Sequence, residues 1–480
     1  MNSDGNNNSR GKWPFTTVAI VVVFGCLIGV GIYFLAEKEM RWILLPVMAL
    51  ISGIFLLAIP EKKKVLTAVF VLSFQIDIYL RFLYGRAGSS EGLALPFVVA
   101  TGLILAGWYY FSGHARHFTM GGSLRRPIGA LLIIIAVSAA ASSERFIGLT
   151  FLITTIEYYF LYWLAFNIVR THEDFRRVLF FILVTLGIQS IIYFVQSALG
   201  LTFDFLGNTI QGKEIPRPGG TVSSNPAGFV SFIIPALMMV SAVALSKFRR
   251  LVGWYSLPLM FMGLAAVGLS FTRAAWIGVI FGFMAIGLIA KQRRWLNTRM
   301  VSVVVVATAI GIMSLLPKMF ERVSSDYAPT GVSATEETFN ERMGLNKIAF
   351  DIIAHHPFFG LGPGAYGYTF KDYVPPGMNQ WLYTVHNVYL LWAAETGIPG
   401  GIAFITLLVV AFRLTYRLSR EPPSLISICA TGCLGALIVL AWMMFWVPWI
   451  GFSYNAMLWF TLGIMDGAQR LTPRFSQKQL

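Results

Sequence analysis

Long apolar blocks, separated by short polar loops, run through almost the whole chain. Most blocks are about 16–24 residues long and nearly free of charge, the length that a helix needs to cross a bilayer. The blocks lie at residues 15–36, 42–59, 65–84, 93–111, 127–142, 146–169, 178–199, 226–245, 251–271, 274–290, 300–316, 399–418, 426–446 and 450–465. The pattern therefore predicts an all-α, polytopic transmembrane protein with about 12–14 spans.

Composition agrees with this prediction, because 56% of the 480 residues are hydrophobic and only 12% are charged. Soluble domains carry roughly 25% charged residues. The net charge of +15 does not indicate nucleic-acid binding, since the basic residues gather in short loops between spans. That distribution follows the positive-inside rule and places both termini on the cytoplasmic side.

The polar segments divide the chain into five predicted parts. A disordered cytoplasmic N-terminus (1–14) precedes a transmembrane region (15–316), and a large outer loop follows (317–386). A second transmembrane region (387–467) and a cytoplasmic tail (468–480) complete the chain.

Two arginines break the positive-inside pattern, because the predicted topology puts Arg217 and Arg273 outside. Asn225 and Pro226 suit the start of a helix near Arg217, and Arg273 stands where another span begins. Arg217 alone is equally compatible with a lipid-headgroup contact. Arg273 alone is equally compatible with an intraprotein salt bridge or a snorkelling anchor. Together, two guanidinium groups beside helix N-termini suit a diphosphate, which they can bind bidentately.

The outer loop ends in a histidine, His386, directly before an apolar helix. Imidazole is the side chain best suited to accept a proton near neutral pH. A simpler interpretation is that His386 and Asn387 only cap the helix. Tyr389 lies near the same helical face, whereas Glu395, nine residues on, points to the opposite one.

Within the loop, Thr338 and Glu341 fit a capping box for a helix that runs to His355 and stops at Pro357. One face of this helix is apolar. Its residues are Leu345, Ile348, Ala349, Ile352 and Ile353. We interpret His355 and His356 as helix-end residues, and no Asp and Glu cluster has metal-binding spacing. The glycine-rich run at residues 360–364 lacks the lysine and strand of a nucleotide loop, so it more simply lets the backbone pass close to another group.

Four short motifs together resemble the O-antigen ligase and polymerase superfamily, bacterial membrane glycosyltransferases that use undecaprenyl-diphosphate-linked glycans. They are Arg217-Pro-Gly-Gly-Thr with Ser224-Asn-Pro, Ser270-Phe-Thr-Arg-Ala-Ala-Trp276, His355-His-Pro-Phe-Phe-Gly-Leu-Gly-Pro-Gly364, and His386-Asn387 with Glu395-Thr-Gly397. Their order around one large outer loop makes the joint pattern more specific than any single motif.

The resemblance implies a metal-independent enzyme of the bacterial inner membrane with no cofactor and a site that faces the periplasm. Arg217 and Arg273 would bind the donor diphosphate, while His386 would act on the acceptor hydroxyl and the transfer would invert the anomeric carbon. Asn387, Tyr389 and Arg342 are candidates for supporting roles.

The expected partners are an undecaprenyl-diphosphate-linked glycan donor, a saccharide or lipid A–core acceptor, and membrane lipid. A ligase that transfers to lipid A–core is favoured, with an O-antigen or exopolysaccharide polymerase as the alternative and protein O-glycosylation third. A flippase or transporter for lipid-linked glycans is the alternative from another class, and it predicts inverted repeats. We detect no repeat in the sequence.

Overall fold

A computed structural model describes residues 61–84, 92–200, 218–223, 225–248, 252–295, 297, 334–374, 384–448 and 451–473. The predicted spans at 15–36, 42–59 and 300–316 lie outside the described residues, as do Arg217 and most of both terminal segments. The chain divides into two compact units, residues 1–65 and 66–480. Apart from residues 62–65, which begin the first described helix, all features discussed below belong to the second unit.

Helices make up most of the described chain. Six of them are long and apolar enough to cross a membrane, which confirms an all-α, polytopic membrane protein. In chain order the helices are α1 Lys62–Ser73, α2 Phe97–Phe111, α3 Arg125–Ala141, α4 Arg145–Ile168, α5 His172–Leu199, α6 Pro226–Ala244, α7 Ser256–Leu269, α8 Arg273–Gln292, α9 Ala334–His355, α10 Tyr366–Thr369, α11 Val388–Ser419, α12 Leu425–Met443 and α13 Phe452–Ala468. Short 3-10 turns lie at His114–His117, Phe370–Tyr373 and Gln469–Leu471.

The region predicted as spans 65–84 and 93–111 differs from a pair of continuous helices. Helix α1 ends at Ser73, and the chain then forms an antiparallel hairpin of β1 (Tyr79–Tyr84) and β2 (Gly92–Pro96) before α2 begins. A short apolar run has the same hydropathy in a strand as in a helix, so periodicity alone cannot separate them. Strand β1 is rich in aromatic residues, which are enriched in β-strands.

Helix ends that the sequence assigns to the same side of the membrane meet in the structure. At one end, Arg293 after α8 donates to the carbonyl oxygen of Glu421 before α12, at 2.9 Å. At the other end, the Val388 amide donates to the carbonyl oxygen of Met444, at 2.8 Å. The predicted alternation of helix directions is therefore consistent with the packing of α8, α11 and α12.

The centre of the bundle is formed by α6, in which every residue from Ala227 to Ala244 is buried. It packs closely against α12. A Cβ added at Gly432 would lie 2.5 Å from the carbonyl oxygen of Met238, so the two backbones are in direct contact at this glycine. Small residues at helix crossings allow this close approach in membrane proteins.

The described part of the predicted outer loop has a small hydrophobic core of its own. Helix α9 begins at Ala334, a turn earlier than predicted, and ends at His355 as predicted. The predicted apolar face is confirmed, because it packs on the chain from 361 to 374 and on the start of α11. The buried members of this core are Leu345, Ile348, Ala349, Ile352, Leu361, Ala365, Tyr366, Phe370, Val385, Leu391 and Ala394.

Helix α11 is interrupted at Gly397, whose φ of 73° and ψ of 174° are not helical. The cause is Pro399, which has no N–H to donate to the carbonyl four residues earlier, that of Glu395. The amide of Gly362 donates to this oxygen instead, at 2.9 Å.

The glycine-rich segment (residues 357–364) makes two further hydrogen bonds across the interruption. The Leu361 amide donates to the carbonyl oxygen of Ala394 at 2.9 Å, and the Ile398 amide donates to that of Pro357 at 2.8 Å. Helix α3 adds a third partner, because Ser138 Oγ donates to the carbonyl oxygen of Phe359 at 2.6 Å. The segment thus joins α9 to the interrupted helix, which agrees with the close backbone passage expected from its glycines.

Gly360 offers a test of this junction, because its φ is 68° and a Cβ there would overlap the backbone of Glu395. We expect Gly360→Ala to lower the apparent Tm of the purified protein in detergent, since the left-handed conformation alone costs an L-residue about 1–2 kcal/mol. Gly367→Ala is the matched control, because nothing lies within 4 Å of the added carbon. Equal Tm values for the two variants would contradict this account.

Candidate functional site

His386 is held between the start of α11 and the end of α12. Asn387 caps α11, because its Oδ1 accepts from the amides of Tyr389 at 3.1 Å and Leu390 at 3.2 Å. The predicted helix start after Asn387 is therefore confirmed. The hydrogen bond from Val388 to the carbonyl of Met444 fixes the same turn against α12.

A cavity of about 410 Å³ opens beside His386. Its volume lies within the range typical of small-molecule sites. Three elements far apart in sequence form it: α9, the residues before α11, and the end of α12 with the turn that follows. The lining residues are Arg342, Met343, Asn346, His386, Asn387, Trp442, Phe445 and Trp446.

Burial lowers the pKa of the His386 imidazole below its ordinary value of 6.5. The positive charge of Arg342 lowers this pKa further, while a backbone hydrogen bond with Thr384 acts in the opposite direction. Both of the lowering effects disfavour the imidazolium ion. His386 is therefore neutral at neutral pH and able to accept a proton, and Arg342 lines the same cavity.

Arg273 is the first residue of α8, as predicted, and its side chain is exposed. Helix α8 packs on α12, and the ring of Phe281 contacts that of Trp442 with centroids 5.3 Å apart. A Cβ at Gly278 would lie 3.2 Å from Trp442 Cδ1. At a rise of 1.5 Å per residue, Arg273 lies about 7–8 Å from Gly278 along the axis of α8. The direction is toward the end of α12, after which Trp446 lies.

The segment that follows Arg217 is fixed by two buried glutamines of α5. Gln196 makes a paired contact with Gly220, donating to its carbonyl at 2.9 Å and accepting from its amide at 3.0 Å. Gln189 also makes two contacts with Thr221: it donates to the side-chain Oγ1 at 2.5 Å and accepts from the backbone amide at 3.3 Å. The described backbone next to Arg217 is thus rigidly attached to the bundle, although Arg217 itself lies outside the described residues.

Helix α6 starts where the sequence predicts. It begins at Pro226, and Asn225 Oδ1 caps it by accepting from the Ala227 amide at 2.9 Å.

Tyr389 and Glu395, the other polar residues considered on this helix, have structural contacts. Tyr389 does not line the cavity, because its hydroxyl donates to the carbonyl oxygen of Ala441 at 2.9 Å and so ties α11 to α12. Glu395 is buried and accepts from the Tyr366 amide at 3.4 Å. This position agrees with the expectation that Glu395 points away from His386.

The adjacent histidines at the end of α9 contact protein groups. His355 Nδ1 lies 2.7 Å from the carbonyl oxygen of Asp351, and His356 Nε2 lies 2.7 Å from the Tyr373 hydroxyl. Within the described ranges, no three His, Cys, Asp or Glu side chains are grouped as metal ligands would be.

Sequence reasoning missed the aromatic part of the cavity, which consists of Trp442, Phe445 and Trp446. Aromatic residues near the end of a span commonly lie at the membrane interface. The spacing of the two tryptophans, four residues apart, was the available signal, because it puts both rings on one side of the chain. Only the fold shows that α9 and His386 face them.

Residues 258–405 match the family model described as O-antigen ligase. The matched range contains Arg273, Arg342 and His386. No curated protein matches the chain. The family match confirms the resemblance to the O-antigen ligase and polymerase superfamily. Together with the six apolar helices, the match supports a multi-pass membrane protein with an O-antigen ligase or polymerase type of function.

The contribution of Arg342 to the state of His386 can be measured directly. We expect Arg342→Gln to raise the pKa of His386 toward 6.5, because the variant removes a positive charge that opposes protonation. The pKa would remain below 6.5, since burial, the larger cause, persists. Arg342→Lys keeps the charge and should leave the pKa low.

NMR of the protein labelled at histidine would report these titrations, with the His386 signal assigned by its loss in His386→Gln. A pKa that is the same in Arg342→Gln as in the parent protein would contradict the electrostatic role of Arg342.

Proposed function

We propose that this protein transfers a glycan from undecaprenyl diphosphate to an acceptor hydroxyl, in the manner of an O-antigen ligase with lipid A–core as the acceptor. The observation that carries the proposal is the neutral, half-buried imidazole of His386 in a cavity of substrate size. The match of residues 258–405 to the O-antigen ligase family supports the reaction class.

In the proposed reaction, the acceptor oxygen attacks the anomeric carbon of the donor sugar while His386 takes the hydroxyl proton. The bond from that carbon to the diphosphate oxygen breaks, and the diphosphate leaves with the electron pair. A single displacement of this kind inverts the anomeric carbon. Neither a metal nor a cofactor takes part.

Arg273 and Arg217 neutralise the charge that develops on the leaving diphosphate. The exposed position of Arg273 at the N-terminus of α8 supports this role, because a helix N-terminus also favours an anion. Asn387 supports His386 by capping the turn that carries it. The site faces the periplasm of the bacterial inner membrane, with both termini in the cytoplasm, according to the distribution of basic residues.

His386→Ala tests the proposed base. We expect it to reduce kcat for transfer from purified lipid-linked donor by about 10²–10⁴-fold, the usual contribution of a general base. His355→Ala is the matched control, since His355 lies at the end of α9 and does not line the cavity. Transfer by His386→Ala at near the parent rate would rule out the catalytic role.

The product formed from donor alone separates a ligase from a polymerase. As a ligase, the purified protein should leave the lipid-linked donor unchanged until lipid A–core is added, because a ligase does not use the hydroxyls of a second lipid-linked glycan as its acceptor. Gel electrophoresis of the glycan products makes the comparison. A ladder of longer lipid-linked chains from donor alone would contradict the ligase proposal and indicate the polymerase alternative.

A further inference from the structure

We propose that the aromatic wall of the cavity, defined as Trp442, Phe445 and Trp446, binds a pyranose ring of the acceptor glycan and presents one of its hydroxyls to His386. The assignment to the acceptor rests on the proposed function, whereas the assignment to a saccharide rests on the chemistry of the wall.

The geometry of the two indoles suits the flat, C–H-bearing face of a sugar ring. Their centroids are 5.8 Å apart and their planes are inclined by 54°, so they form an angled surface rather than a stack. Trp442 is held from behind by the edge-to-face contact with Phe281 of α8. Phe445 is 50% exposed, and Met343 on the opposite side of the cavity is 52% exposed. The indole of Trp442 is therefore fixed. We take exposed Phe445 and Met343 to lie at the opening through which a ligand enters.

Three ring nitrogens at the cavity are buried and have no hydrogen-bond partner among the described residues. They are Trp442 Nε1, Trp446 Nε1 and His386 Nδ1. Buried polar groups are normally paired, and an indole N–H can only donate. Trp276, near the start of the adjacent helix α8, follows the normal rule, because its Nε1 donates to the carbonyl oxygen of Val267 at 3.1 Å. The two unpaired indoles are thus suited to a ligand rich in oxygen acceptors.

A saccharide combines these requirements better than the other molecules that a membrane enzyme meets. A lipid tail would cover the aromatic faces but offers no acceptor to the indole N–H groups. A free anion would accept from them but would leave the aromatic faces without an apolar partner. A pyranose ring has C–H groups on its faces and hydroxyls at its edge, and amphipathic aromatic side chains match that distribution.

The charge of the cavity further limits the class of sugar that can bind. Among the described residues, the eight that line the cavity include Arg342 and no carboxylate. Neutral and acidic sugars therefore fit this surface, whereas an amine-bearing cationic sugar would be repelled by Arg342.

Direct binding of free sugars tests the proposal without requiring turnover. The full-length protein in detergent is titrated with D-galactose and with core oligosaccharide freed of lipid A, and saturation-transfer NMR detects the sugar ring protons. We expect transfer to ring C–H protons, with the affinity reduced about tenfold or more in Trp442→Ala and Trp446→Ala. Trp442→Phe and Trp446→Phe keep a ring and lose only the N–H, so each should weaken binding by about three- to tenfold.

The matched control is Trp254→Phe, because Trp254 is 82% exposed and lies outside the cavity. It should bind sugar as the parent protein does. The proposal would be overturned if the parent protein gave no sugar signals. It would also be overturned if all four wall variants bound sugar with the affinity of the parent protein. If the alanine variants fail to elute as folded protein in size-exclusion chromatography, the two phenylalanine variants decide the outcome.

Steady-state transfer kinetics separate this inference from the proposed function. The wall variants should raise the KM for acceptor and leave the KM for donor unchanged. Sugar binding that depends on the wall, in a protein that transfers no glycan, would contradict the proposed function and support the saccharide site. Glycan transfer with the same acceptor KM in every wall variant would overturn the saccharide site alone.

Discussion

The hydrogen bonds between the glycine-rich segment and the interrupted helix α11 attach α9 and the residues after it to the helical bundle. Pro399 cannot donate to the carbonyl of Glu395, and that oxygen is taken up by Gly362. A buried carbonyl left without a donor would cost about 1–3 kcal/mol. The segment supplies one donor to this oxygen, and Ser138 Oγ of α3 supplies a second at 3.2 Å. The segment needs glycines with positive φ in order to pass this close to the α11 backbone.

The acid–base chemistry of His386 depends on this junction. Helix α9 is connected to the glycine-rich segment within two residues and packs its apolar face on the start of α11. That packing brings Arg342, on α9, to His386, and its charge contributes to the lowered pKa of the imidazole. The three backbone hydrogen bonds at the interruption and the packing of α9 thus help to place the charge of Arg342 beside the candidate base.

Local signals in the sequence predicted local features well. Asn225 with Pro226, Asn387, and His355 before Pro357 each marked a helix end that the structure has, because capping and proline geometry act within a few residues. The β hairpin was not predicted, since its hydropathy is that of a membrane span. The aromatic wall was missed for a different reason: Arg342, His386 and Trp446 belong to three elements, and no pattern along the chain encodes their meeting.

The position of Arg342 has opposite effects before and during the proposed reaction. Before it, burial and the guanidinium together favour the neutral imidazole, which can accept a proton, but the lowered pKa also makes His386 a weaker base. In the proposed reaction the diphosphate of the donor is an anion, and its negative charge near the cavity would offset part of the positive charge of Arg342. A bound donor would therefore raise the pKa of His386 relative to that in the free protein, although burial, the larger cause of the lowered pKa, would persist.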